Sequence, residues 1–183
     1  MLAVLMVVTE LSTSPAIRFV EMKVRLAQIE DAEAIRRIYN VEVSTSTVTF
    51  DLVERTLEDQ RAWLAARSGA HATLVAVDSE GEVTGFGALS PYKDRPAYRT
   101  TVEDSVYVSR DHQGKGVGRL ILSELVETAD VSGFHTVIAR IVADHEASLA
   151  LHKGQGFEVV GTEREVGRKF NRWLSVTTMQ KML

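Results

Sequence analysis

Residues 105–119 have the sequence S-V-Y-V-S-R-D-H-Q-G-K-G-V-G-R, and this stretch decides the fold. Its apolar start, residues 106–108, has the pattern of a strand, and the helix-patterned residues 120–129 follow its glycines. A strand, a glycine-rich turn and a helix in this order offer backbone N–H groups to an anion, because the first turn of a helix leaves them unpaired. Lys115 and Arg119 add positive charge. The sequence therefore predicts a pyrophosphate-binding loop here.

The spacing of the glycines excludes two common phosphate-binding motifs. A P-loop requires G-x-x-x-x-G-K-[ST], and no Gly-Lys pair at that spacing is followed by Ser or Thr. A dinucleotide-binding fingerprint requires G-x-G-x-x-G, whereas Gly114, Gly116 and Gly118 are more tightly spaced and lie past the middle of the chain. A glycine-rich turn without a ligand is the simpler alternative, and the loop alone does not decide between the two.

The composition is that of an ordinary globular protein. The 183 residues suffice for one domain with a substantial core, and 45% are hydrophobic and 25% charged. A formal net charge of -4 gives no indication of nucleic-acid binding. The absence of cysteine excludes disulfides and thiolate nucleophiles and fits a cytoplasmic protein. Because His112, His135 and His145 lack metal-ligand spacing, we also expect no metal site.

The N-terminal segment differs from the rest of the chain. Residues 1–9 are apolar but too few to cross a membrane, which takes about 20 residues, and they lack the basic residues of a signal peptide. Regular patterning begins at Lys23, directly after Met22. We therefore expect residues 1–21 to be an extension, for which start-codon choice is one explanation. Residues 22–183 would form the domain, without a membrane anchor.

The periodicity of apolar residues predicts an α/β domain with a mixed sheet and no internal repeat or linker. Residues 40–46 lack periodicity, and we predict a substrate-facing loop there. Helices are predicted near residues 31–39, 57–66, 120–129 and 145–153, and strands over residues 23–27, 72–77, 83–89, 100–108, 136–142, 157–160 and 172–182.

Four segments resemble one known family. Gln113-x-x-Gly116-x-Gly118 is similar to the pyrophosphate loop of the GCN5-related N-acetyltransferase (GNAT) superfamily, and A-S-L-A-L-H-K-G-Q-G-F at 147–157 resembles its second half. Y-K-D-R-P-A-Y-R-T-T-V-E-D-S-V-Y-V-S at 92–109 resembles the phosphinothricin and methionine sulfoximine acetyltransferase group. The tail at 166–180 is closer to that group's methionine sulfoximine/sulfone branch. The resemblance extends from Lys23 to the last residue.

The resemblance implies a single-domain GNAT fold with a mixed, mostly antiparallel central sheet flanked by helices. It also implies acetyl-CoA as co-substrate, no metal, and a homodimer. The implied reaction transfers acetyl to the α-amine of a small amino-acid analogue of the phosphinothricin, methionine sulfoximine or methionine sulfone type. One departure is His145, which stands where relatives often have Asn. The implied cofactor contacts are Val106, Tyr107, Val108, Gln113, Gly114, Lys115, Gly116, Val117, Gly118, Arg119, His145 and Ser148.

Three residues are candidates for the chemistry. Strand alternation places Glu103 and Tyr107 on one face and Asp104 on the other. The resemblance assigns Glu103 as the base that takes the amine proton, although pairing with a nearby Arg is the structural alternative. His152 would be an acid toward the departing thiolate or a histidine packed on its helix. Tyr107 would orient the acyl group or serve the core.

Substrate selection is predicted to depend on the loop at residues 92–99, which we call the aromatic–basic loop. Its cations can meet a carboxylate or phosphinate, and Arg binds such groups in bidentate fashion. A second basic group at residues 168–172 could reach the site of the same or a neighbouring subunit. Each cation alone is more often a solvated surface charge. The predicted substrate-binding residues are Phe50, Lys93, Arg95, Tyr98 and Arg99.

Two alternative functions remain open from the sequence. An acetyltransferase for a protein N-terminus or a polyamine would share the motifs. A polyamine site should be acidic, so the cations of the aromatic–basic loop argue against a polyamine. A non-catalytic acyl-CoA-binding module would need the glycine loop but not Glu103 or His152.

Overall fold

The computed structural model of the protein describes residues 4–8, 19–67 and 69–183. Of the predicted extension, residues 1–3 and 9–18 lie outside the described residues. The backbone of Val4–Val8 pairs with the strand that begins at Phe19. Whether residues 1–21 belong to the native protein stays a prediction. In the described ranges, no helix is long and apolar enough to cross a membrane.

Eight strands form one sheet, and four α-helices flank it in the described chain. The strands are β1 (Val4–Val8), β2 (Phe19–Leu26), β3 (Thr73–Val77), β4 (Val83–Pro91), β5 (Thr101–Val108), β6 (Thr136–Val142), β7 (Glu158–Lys169) and β8 (Arg172–Met182). The helices are α1 (Ala32–Thr45), α2 (Leu57–Ala65), α3 (Val117–Val131) and α4 (Glu146–Gly154).

The strand order is β1-β2-β3-β4-β5-β6-β8-β7, and β5 and β6 are the parallel pair in an otherwise antiparallel sheet. A parallel pair requires a crossover, and α3 provides it between β5 and β6. This architecture confirms the predicted α/β class with a mixed, mostly antiparallel sheet.

The two faces of the sheet bury different helices. Ile121, Leu122 and Leu125 of α3 are buried in a cluster on one face, against which side chains of α4 also pack. Helices α1 and α2 cover the other face around Ile35 and Phe86. Helix α3 lies close to β4, because a Cβ on Gly87 would come within 2.6 Å of Ile121. This contact fixes the helix whose N-terminus carries the glycine loop.

The prediction of a loop at residues 40–46 was wrong, because α1 continues to Thr45. The side chain of Asn40 is buried and holds the backbone of Arg55, accepting from its N–H at 3.0 Å and donating to its carbonyl at 2.9 Å. Tertiary contacts of this kind override weak helix propensity. Strand β7 also extends to Lys169, beyond the predicted end at residue 160. The sequence did not indicate this extension, because most of the strand is exposed and lacks an apolar alternation.

Candidate active site

The parallel strands β5 and β6 separate halfway along their length. Their register pairs Thr101–Asp104 with Thr136–Ala139, and in the described chain the two strands then continue to Val108 and Val142 without further pairing. The outer edges stay hydrogen-bonded, β5 to β4 and β6 to β8. A cavity of about 610 Å³ opens between the separated ends.

The glycine loop, residues 113–118, lies at the mouth of this cavity. Gly114 and Gly116 have φ angles of 73° and 83°, which favour glycine because a side chain is rarely tolerated there. Gly116 is the N-cap of α3, and its carbonyl accepts the N–H of Leu120 at 3.1 Å. The N–H groups of residues 117–119 precede that first bond and point toward the helix N-terminus, an arrangement that suits an anion.

Most of the predicted cofactor contacts are brought together around the cavity. Lys115 is absent from the described residues that line it. His145 lies at the start of α4, and burial lowers the pKa of its imidazole, so it is neutral near pH 7. The residues that do line it are Val106, Tyr107, Val108, Gln113, Gly114, Gly116, Val117, Gly118, Arg119, His145 and Ser148.

Glu103 lies at the point where β5 and β6 separate and lines the same cavity. The Glu103 carboxyl forms no hydrogen bond or salt bridge with another residue of the described chain. Burial raises the pKa of its carboxyl, and the nearby charge of Arg140 opposes that rise. The alternative in which an Arg salt bridge holds Glu103 is therefore not seen in the described chain, and its role as base stays a prediction.

Asp104 points to the opposite face, as the strand alternation predicted, and contacts His152 there. The His152 Nε2 lies 3.0 Å from Asp104 Oδ2, and its Nδ1 lies 2.8 Å from the Ser148 carbonyl oxygen. Burial by itself lowers the pKa of His152, which is 3% exposed. The bond to Asp104, its charge and the Ser148 carbonyl nevertheless raise the pKa overall. Both ring nitrogens face oxygen acceptors, an arrangement that suits the doubly protonated imidazole.

The second oxygen of Asp104, Oδ1, is buried without a hydrogen-bond partner in the part of the chain that the structure describes. Asp104 is among the residues that line the cavity. Buried acceptors without partners are uncommon, because they forfeit hydration. The pair formed by Asp104 and His152 thus leaves one buried carboxylate oxygen without a partner.

Tyr107 has an aromatic environment. Its ring stacks on Phe86 at 5.1 Å and meets Tyr39 edge-on at 5.1 Å. Burial raises the pKa of the Tyr107 phenol well above its usual value, so it stays neutral. Tyr107 packs against the hydrophobic core beneath α1, and it also lines the cavity.

The predicted substrate residues divide between two places. Phe50 lines the cavity and packs against Gly167, where a Cβ would come within 2.2 Å of the Phe50 ring. The aromatic–basic loop forms a separate cavity lined by Pro91, Tyr92, Lys93, Asp94, Arg95 and Tyr98. Within one chain, the aromatic–basic loop, which includes Arg99, therefore does not line the cavity that contains Glu103. Their role in substrate binding stays a prediction.

The second basic group, residues 168–172, has mostly structural contacts. Lys169 is buried, and its Nζ donates to the Thr49 carbonyl at 2.8 Å. Burial lowers the pKa of Lys169. Arg172 pairs with Asp144 at 3.1 Å on the surface. Lys169 thus fixes the segment that carries Phe50 against the β7–β8 hairpin.

Sequence reasoning missed Arg140, which lines the cavity from β6. Its signal was present: Arg140 is the one charged residue in the strand T-V-I-A-R-I-V. Glu42 was missed as well, and it lines the cavity from α1, where it pairs with Arg110 at 3.1 Å. It falls in the segment that we predicted as a loop.

The site thus combines a parallel pair of strands that separates beside a glycine loop with a carboxyl at the point of separation. The sequence model of the acetyltransferase (GNAT) domain matches residues 24–177. The chain belongs to this family of N-acetyltransferases.

Within the family, the chain is close to the phosphinothricin and methionine sulfoximine acetyltransferases. It is 39% identical to the L-methionine sulfoximine/L-methionine sulfone acetyltransferase of Pseudomonas paraeruginosa, over 86% of this chain and 92% of that protein. It is 38% identical to the phosphinothricin N-acetyltransferase of Streptomyces coelicolor, over 89% and 97%. The acetyltransferase yncA of Salmonella typhimurium, solved with its cofactor acetyl-CoA, superposes with a TM-score of 0.85 at 37% identity, over 88% and 94%. The predicted family, fold and enzyme class are confirmed.

Proposed function

We propose that this enzyme transfers acetyl from acetyl-CoA to the α-amine of a small amino acid of the methionine sulfoximine, methionine sulfone or phosphinothricin type. The observation that carries the proposal is the cavity between β5 and β6, which joins the glycine loop to Glu103. The names of two relatives support the substrate class, since both are acetyltransferases for amino-acid analogues.

The residues around the cavity fit acetyl-CoA. The loop glycines and the N–H groups at the start of α3 would hold the pyrophosphate, and Arg119 adds charge. The unpaired edge of β5 beyond Asp104 leaves backbone N–H groups facing the cavity, and one near Val108 would polarise a carbonyl there. The cofactor supplies the thioester that the amine attacks directly. No covalent enzyme intermediate is needed for this reaction, which suits a chain without cysteine.

Glu103 would act as the base. A substrate amine arrives mostly as an ammonium group and must lose a proton before it attacks. A carboxyl whose pKa is raised by burial is a stronger base than an exposed one, and it lies on the face that opens to Phe50. Glu103 would take the proton directly or through a water molecule.

His152 would supply a proton from the opposite face of β5. It lines the cavity, and its ring nitrogens lie 3.0 Å from Asp104 Oδ2 and 2.8 Å from the Ser148 carbonyl oxygen. The doubly protonated imidazole would give one N–H proton to the sulfur of the departing thiolate, which yields neutral His152 and the CoA thiol. The Asp104 carboxylate would hold the ring and favour its protonated form.

The aromatic–basic loop would select the substrate from a second subunit. The loop lies outside the cavity of its own chain, so contact with a bound substrate requires another copy. Phe170 and Trp173, at the tip of the β7–β8 hairpin, are 53% and 61% exposed and are available for such an interface. We therefore propose a homodimer, which light scattering of the purified protein would test.

A substrate panel tests the proposed function. CoA release would be measured with methionine sulfoximine, methionine sulfone, phosphinothricin, a polyamine and a peptide with a free N-terminus. We expect turnover of the three amino-acid analogues in preference to the other amines. Preference for the polyamine or the peptide would overturn the substrate class, and acetyl-CoA binding without turnover of any amine would indicate a non-catalytic module.

A further inference from the structure

Arg140 shares a face of the sheet with the proposed base. Glu103 is the register partner of Ile138, and Arg140 follows Ile138 by two positions on β6. Side chains two positions apart on a strand point to the same side. Arg140 therefore lies on the Glu103 side, just beyond the point where the strands separate, and it lines the same cavity. Its charge acts on the Glu103 carboxyl across this gap.

The present partner of Arg140 is easily exchanged. The Arg140 guanidinium donates to Glu163 at 2.8 Å, and the two side chains are 42% and 53% exposed. Ion pairs as exposed as this contribute about 0–1 kcal/mol, since both groups are well solvated when they separate. A ligand carboxylate in the cavity can thus replace Glu163 at little cost.

An α-amino acid presents two groups that match this pair of side chains. Its carboxylate is bonded to the carbon that carries the amine, so both groups must fall within one small site. Arg binds carboxylates in a bidentate fashion, which fixes orientation as well as position. With the carboxylate on Arg140, the amine of the same molecule is directed toward Glu103.

We propose that Arg140 binds the substrate α-carboxylate and releases Glu163 as it does so. This inference rests on the proposed function and assigns to this enzyme a requirement for a free carboxylate next to the acetylated amine. The aromatic–basic loop is then left to recognise the side chain of the substrate.

Comparing methionine sulfone with its α-carboxamide in wild type and Arg140→Gln tests the assignment. We expect the variant to lose about 10- to 100-fold in kcat/KM for the free acid, as for a lost hydrogen-bonded ion contact, and to change little with the amide. Arg140→Lys, which keeps the charge without the bidentate geometry, should fall in between. Glu163→Gln should lower KM for the free acid, because it removes the competing carboxylate.

Arg172→Gln is the matched control. Arg172 is also an exposed arginine paired to a carboxylate, at 3.1 Å from Asp144, and it is not among the described residues that line the cavity. It should leave the acid-to-amide ratio unchanged. Arg140→Gln should also move the acid limb of the pH profile to higher pH, because losing a nearby positive charge raises the pKa of Glu103 further.

The assignment would be overturned if Arg140→Gln kept the wild-type ratio of kcat/KM for the acid to kcat/KM for the amide, whether both values are unchanged or both fall equally. These results differ from a failure of the proposed function, in which the wild type turns over neither compound. In that case, calorimetric titration of both compounds into the CoA-loaded protein decides the matter. Weaker binding of the acid alone in Arg140→Gln supports the assignment, and equal binding overturns it.

Discussion

Strand β5 carries adjacent carboxylates on opposite faces, and the two have different surroundings. Asp104 is buried and bonded to His152 at 3.0 Å, so its charge has a fixed partner. Glu103 has no such partner among the described residues, and burial raises its pKa. A carboxyl that must gain and lose a proton benefits from lacking a strong partner. The comparison supports the proposal that Glu103, and not Asp104, is the base.

The faces also differ in what they would bind. The Asp104 face is covered by α3 and α4, which present the glycine loop and His152. The Glu103 face opens toward Phe50 and Arg140. Substitutions on one face should therefore affect one ligand more than the other.

Exchanging Glu103 for Gln should produce the largest effect. We expect kcat to fall by about 10²- to 10⁴-fold, the usual contribution of general acid–base catalysis. Acetyl-CoA affinity, measured by calorimetry, should stay as in wild type, because the glycine loop is untouched. A near-normal kcat would remove Glu103 as the base.

The pH profile of the wild type tests the same carboxyl without a mutation. The base must be deprotonated, so kcat/KM should fall as the pH drops through the Glu103 pKa. Because burial raises that pKa, the acid limb should lie above the ordinary value of about 4.5. The limb should be absent from the residual activity of Glu103→Gln.

Asp104→Asn should act mainly on stability. Removing one member of a buried ion pair costs about 3–5 kcal/mol, because it leaves the other charge uncompensated. The folded-state pKa of His152 is raised above 6.5, so the pair's stabilisation is fully present below pH 6.5. It is lost as the pH rises through the folded pKa. Urea unfolding should therefore show a larger difference from wild type at pH 6 than at pH 9.

Glu103→Gln is the control for that experiment, since it changes the neighbouring carboxylate, which has no ion partner in the described chain. It should shift the free energy of unfolding by far less than Asp104→Asn. Equal losses in the two variants would contradict the difference between the faces.

Gly116→Val should weaken acetyl-CoA binding by about tenfold or more, because a β-branched residue does not tolerate a φ of 83° and its side chain would obstruct the loop. Gly133→Val offers a matched control, since Gly133 has a φ of 79° beyond the far end of the same helix. Both variants should lose stability to backbone strain. Calorimetric titration should show weaker cofactor binding in Gly116→Val alone, and equal affinities would place the phosphate site elsewhere.

The sequence predicted those features that depend on local pattern. Alternation along β5 was enough to place Glu103 and Asp104 on opposite faces, and the helical pattern of residues 120–129 predicted a helix directly after the glycine loop. The contact of Asp104 with His152 spans 48 positions and depends on how α4 packs, which no local pattern specifies. Arg140 acquires its place from the register of β6 against β5. Likewise, the periodicity of one chain does not predict what the aromatic–basic loop contacts.

Gly167→Ala should have the smallest effect and should act on the Glu103 face alone. An added Cβ would overlap the Phe50 ring at 2.2 Å, so the ring must move and the wall of the cavity moves with it. We expect KM for the amine to rise a fewfold, because such a change in a pocket wall is worth about 1 kcal/mol. KM for acetyl-CoA should not change. Gly161→Ala on the same strand, where a Cβ meets nothing within 4 Å, should leave both constants as in wild type. A rise in KM for acetyl-CoA in Gly167→Ala would mean that the two faces do not bind separate ligands.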